Sequence, residues 1–147
     1  MTAAYELLCA IAAGVCMAAA IGAAIAFRSG FAHPRAWFAV RCAQLAVIIA
    51  AALGAVLFAG AGEPGRGLQY GYSLIAAGVS FVAEQLRLSS AATVLSQMGL
   101  SGSEDVERLE PDRQVATARR IALREIGVEA VALAVCAALL LRGADLY

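Results

Sequence analysis

The residues able to do chemistry gather at one end of the apolar runs. In "FVAEQLRLSS", residues 81–90, Glu84 and Arg87 follow Ser73, Ala77 and Ser80 at spacings of three and four, which places them all on one helix face. In "IALREIGVEA", Arg124 and Glu125 precede Glu129, and the two glutamates form an i,i+4 pair. Arg41 and Gln44 occupy the corresponding end of the run that begins "RCAQLAV". Carboxylates, guanidinium groups and an amide inside apolar sequence can bind a proton, a cation or a lipid headgroup. The same groups can instead pair with one another and lock helices together. Ionisable side chains within a membrane are costly and are functional-site candidates by default.

Magnitudes rank these groups. The window 122–141 holds nine Leu, Ile or Val residues, worth roughly −3 to −5 kcal/mol on the insertion scale, against about +2.5 to +3.5 for one central charge. One carboxylate is tolerable there, but three ionised groups are not. Arg124 and Glu125 therefore belong at the interface. Glu129 lies roughly 10 Å along the helix from its inner end, the deepest ionisable group in the chain. A carboxylate at that depth either pairs with an arginine or takes a proton.

The elements that must position these residues are membrane spans. The chain is 62% hydrophobic and 15% charged, with a mean hydropathy of +0.79, far from the composition of soluble domains. Leu7 to Phe27 and Cys42 to Gly62 are long enough to cross the hydrocarbon layer, and Leu68 to Ala83 and Ile126 to Leu141 must borrow neighbouring residues to do so. The reading is an all-α integral membrane protein, one domain over 1–147. It forms a four-transmembrane-helix bundle of two antiparallel hairpins, with spans near 5–27, 40–62, 67–88 and 121–141. A cytosolic loop at 89–120 should hold a short helix near 103–110, opened by a capping box at Ser101–Glu104, and a second helix running from Pro111 into the last span.

Arginine sets the orientation. Nine arginines fall on the first and third loops and their flanks, against Arg66 and Arg142 on the opposite side. The positive-inside rule then places both termini outside a cell (cytoplasmic or inner) membrane. The start, "MTAAYE", lacks the basic region of a cleaved signal peptide. "GEPGRG" makes a tight outer turn. Phe31, Trp37 and Phe38 on the inner side, and Tyr70 and Tyr72 on the outer, have the character of interfacial anchors.

Close helix approach is expected where small residues recur every four positions. Ala10, Gly14, Ala18, Gly22 and Ala26 do this on the first helix, and Ala46, Ala50 and Gly54 on the second. They serve contact within the bundle or association with a second copy or another membrane subunit.

Other chemistries find no pattern. The formal net charge is zero, so nucleic acid is not an expected partner. His33 is the lone histidine, and Cys9, Cys16, Cys42 and Cys136 stand singly as small buried residues, so neither a metal site nor a cofactor is expected. No nucleophile–base set or phosphate loop occurs. The expected partners are membrane lipids and other membrane subunits or further copies of the chain. The leading functional expectation is a non-catalytic accessory or assembly subunit of a larger membrane complex. The alternatives are a homo-oligomeric proton- or cation-coupled transporter using Glu84 and Glu129, and an enzyme acting on lipid at the cytoplasmic face.

Overall fold

The computed structural model describes residues 2–60 and 67–144. Within them the chain is all-helical: α1 (Thr2–Ser29), α2 (Pro34–Gly60), α3 (Gly67–Gln97), α4 (Ser103–Glu107) and α5 (Pro111–Gly143). Three of these helices, α1, α2 and α5, are long and apolar enough to cross a membrane, which marks the chain as a membrane protein. The "GEPGRG" turn and Arg66 lie outside the described residues, apart from the turn's last glycine, Gly67, which opens α3.

Helix ends follow local chemistry. α1 closes at Gly30 and α3 at Gly99, both in the left-handed region with φ of 68° and 71°. In each case the next residue donates its N–H five residues back: Phe31 to Ala26 O at 3.2 Å, and Leu100 to Leu95 O at 2.9 Å. A side chain is strained at such a φ, so glycine ends the helix there. Proline opens α2 and α5, where its missing N–H costs nothing.

The four long helices pack in the cyclic order α1, α2, α3, α5. Their interior is built from small side chains. Ala12, Ala13, Cys16, Ala19 and Ala23 of α1 meet Ala43, Val47 and Ala50 of α2, Ala76 of α3, and Leu133, Cys136 and Ala137 of α5. Large apolar side chains point outward, among them Ile21, Ile25, Ile48, Phe58, Phe81 and Val131. In water this arrangement would expose a continuous apolar surface. Lipid accepts it, because helices there associate through small residues and leave the large ones to the hydrocarbon.

Three expectations change. The third helix runs on to Gln97 rather than ending near residue 88, so the segment between it and α5 is much shorter than 89–120. Hydroxyl groups that usually compete with a helix turn back onto it: Ser89 and Ser90 bond Leu86 O, and Thr93 bonds Ser89 O. Ser90 and Val94 are buried there. At 31 residues, α3 spans about 46 Å and outreaches the hydrocarbon layer.

The capping box is also absent. Gly102 is the residue preceding α4 and makes no side-chain cap, whereas Ser101 N–H donates to Asp105 Oδ2 at 2.7 Å. Finally, Cys42 is exposed, unlike the other three cysteines, and all four are free thiols.

Candidate functional site

The polar residues of α2, α3 and α5 form one connected cluster at the arginine-rich end. Glu84 is its hub. Arg87, one turn on along α3, donates Nε–H to Glu84 Oε2 at 3.0 Å and Nη2–H to Oε1 at 2.6 Å. Arg41 reaches across from α2 to the same two oxygens at 3.4 and 3.3 Å. Two guanidinium groups thus share one carboxylate, the fork geometry that makes arginine–carboxylate bonds strong.

Both arginines reach further. Arg41 Nη1 donates to Gln44 Oε1 at 2.7 Å. Arg87 Nη1 lies 3.8 Å from Glu125 Oε2 on α5. The Arg87 guanidinium also stacks over Trp37, 5.7 Å from the ring centroid, within cation–π range.

Gln44 carries the network inward. Its Nε2 donates to Glu129 at 3.2 Å (Oε2) and 3.3 Å (Oε1). Exposure falls along this path: the Arg41 side chain is 51% exposed and that of Glu84 26%, whereas Gln44 is 8% and Glu129 1% exposed. The cluster is therefore open at Arg41 and closed at Glu129. Among the described residues, Glu129 makes no ion pair, and its hydrogen-bond donor is a neutral amide. No buried side-chain nitrogen or oxygen there lacks a partner.

The structure thus joins Arg41, Gln44, Glu84, Arg87, Glu125 and Glu129. Arg124 stands apart. It is exposed and lines a groove between α1 and α3, because one residue turns a helix by about 100° and so sends it away from Glu125. Gln85 also faces outward.

A second polar knot sits at the opposite end, and sequence reasoning did not find it. Tyr5 Oη donates to Ser73 Oγ at 3.0 Å and lies 3.3 Å from Gln69 O, while Ser73 Oγ donates to Tyr70 O at 2.8 Å. Tyr5 and Tyr70 meet edge to face at 5.1 Å. Tyr70 is 2% exposed, so it is a core residue rather than an interfacial anchor. Gly54 makes room for the knot: a Cβ there would overlap Ser73 Oγ and press on Tyr5 Oη. The signal in the sequence was Ser73 in register with Glu84, but its partner, Tyr5, is 68 residues away.

The small-residue ladders divide. Ala26, Ala50 and Gly54 are buried, whereas Gly14 and Ala18 are exposed, and a Cβ on Gly14 or Gly22 would meet nothing within 4 Å. The helix α1 instead buries the adjacent face through Cys9, Ala12, Ala13 and Cys16. Among the described residues no group of three or more His, Cys, Asp or Glu is placed to hold a metal ion.

Fold and site together define an all-helical membrane protein with a charged cluster joining three of its helices at one end. No protein-family model, no curated protein and no solved structure matches the chain.

Proposed function

We propose that this chain is a non-catalytic subunit or assembly factor of a larger membrane complex, a four-helix membrane bundle in which α3 supplies the fourth crossing. What carries the reading is that the charged cluster is satisfied from within. Both oxygens of Glu84 are taken by the chain's own arginines, and Arg87 reaches a second carboxylate on α5. A cluster engaged in this way fixes three helices and leaves little coordination free for a substrate.

The interior adds support. Between Glu129 and the Tyr5 knot the core is formed mainly by Ala, Cys, Val and Leu, which offers no file of polar groups for an ion to follow. α3 lies between α2 and α5 in the packing order, and its outward face carries Leu74, Ile75, Phe81 and Val82, which suits a helix in lipid. The arginine distribution orients the bundle as two antiparallel hairpins with the charged cluster at the cytoplasmic side and both termini outside. The test is the native mass of the protein extracted gently from its own membrane. A stable assembly with other chains is expected; a monomer or a homo-oligomer sinks the proposal.

One observation favours a second reading, proton- or cation-coupled transport. Glu129 is buried against an amide, at the closed end of a cluster open to one side. Reconstituted in liposomes under a pH gradient, a transporter shows flux that Glu129→Gln abolishes. The subunit reading expects no flux from either protein.

A further inference from the structure

A large groove lies on the outer surface of the described residues, away from the charged cluster. α5 forms the floor, with α1 and α3 as walls, and the volume is about 1110 Å³. Its lining is apolar, from Ile75, Gly78 and Val82 on α3 to Val128, Val131 and Val135 on α5. Two charged residues line it as well: Arg28, in the last turn of α1, and Arg124 on α5. No carboxylate among the described residues pairs with either. A neighbouring notch shares Phe27 and Arg124 and adds Arg119, Arg120 and Asp112, so the basic character continues beyond the groove.

We infer that this groove holds one acyl chain of an anionic phospholipid, with the phosphate seated between Arg28 and Arg124. Length and charge carry the inference. From Arg124 to Val135 the floor runs 11 helical steps, about 16 Å, which is half of the roughly 30 Å hydrocarbon layer. The groove therefore has the depth of a single leaflet. Its arginines sit at the end where that leaflet's headgroups lie, and guanidinium forks match phosphate oxygens.

Glycine shapes the cleft. Gly78 leaves open space on the α3 wall, and Gly127 lets the Phe27 ring lie against α5, 3.1 Å from where a Cβ would stand. A second helix would fill the apolar part of the groove but would meet the arginines only if it carried a carboxylate at their level. A phospholipid satisfies both.

The test is native mass spectrometry of the full chain released from nanodiscs containing equal phosphatidylglycerol and phosphatidylcholine. One retained phosphatidylglycerol per chain is expected, with at least tenfold preference over phosphatidylcholine. Arg28→Gln combined with Arg124→Gln should abolish the preference, whereas Arg35→Gln, an exposed arginine outside the groove, should leave it intact. Gly78→Leu, which narrows the cleft without touching charge, should lower retention of both lipids. Equal retention of the two lipids overturns the inference. So does a preference that survives the double substitution, or release as a lipid-free dimer.

Discussion

The two polar knots of this molecule solve the same problem in different ways. At one end Tyr5, Ser73 and Tyr70 use neutral groups, and their bonds return to nearby hydroxyl and backbone oxygens. Such a knot can be fully buried, because each hydroxyl finds a partner: Ser73 one turn back along α3, and Tyr5 across the contact between α1 and α3. At the other end Glu84, Glu125 and Glu129 are met by Arg41, Arg87 and Gln44, and exposure rises from Glu129 outward to Arg41. Charged groups are costly to desolvate, so they stay near the surface and are reached by long side chains. The neutral knot sets how closely α1, α2 and α3 approach. The charged one fixes α2, α3 and α5 in register and leaves a single deep carboxylate to which the Gln44 amide donates.

That contrast can be broken at either end. Gly54→Leu should have the largest effect, since the new side chain overlaps Ser73 and Tyr5; a loss of about 3 kcal/mol is expected from overpacking. Thermal unfolding in detergent, followed by helicity, would read it. An unchanged midpoint would show that the neutral knot does not set helix spacing. Next comes Glu84→Ala, which strips two arginines of their acceptor. Hydrogen bonds to charged groups and the half-exposed Arg41 together suggest a loss of about 1–2 kcal/mol. Added salt should shrink the gap between Glu84→Ala and the parent protein.

Tyr5→Phe keeps the ring contact with Tyr70 and removes the hydroxyl, for an expected loss of about 1 kcal/mol in the same assay. The smallest effect is assigned to Glu129→Gln, below about 1 kcal/mol, because the amide still offers Gln44 an acceptor oxygen. A far larger loss would mean that the charge of Glu129, rather than its shape, holds α5 to α2. That outcome would turn attention from the hub at Glu84 to the deep end of the cluster.

Part of this architecture was legible in the chain. Runs of apolar residue locate α1, α2 and the body of α5, since lipid demands length and hydrophobicity that composition displays directly. The membership of the charged cluster was legible too, except for Arg124, because charged residues at one end of several spans have few places to go. The continuation of α3 to Gln97 was hidden, since the three serines and one threonine of "SSAATVLSQ" weaken its helix preference, and the segment gains its order from burial of Ser90 and Val94. The sequence gives Trp37 the character of an interfacial anchor, and its place beneath Arg87 follows only from the α2–α3 contact.

By itself, then, the sequence determined that this is a helical membrane protein whose ionisable groups, Glu129 apart, lie at or beyond the ends of its apolar runs. Those properties follow from transfer free energies that each segment carries alone. Tertiary structure alone decided that Glu84 is the hub and that Gln44 links it inward to Glu129. It also decided that Tyr5 meets Ser73, and that Arg28 and Arg124 border one apolar groove. Each of these depends on how helices distant in sequence rotate against one another, and that rotation is set by the packing of small side chains, which no single segment specifies.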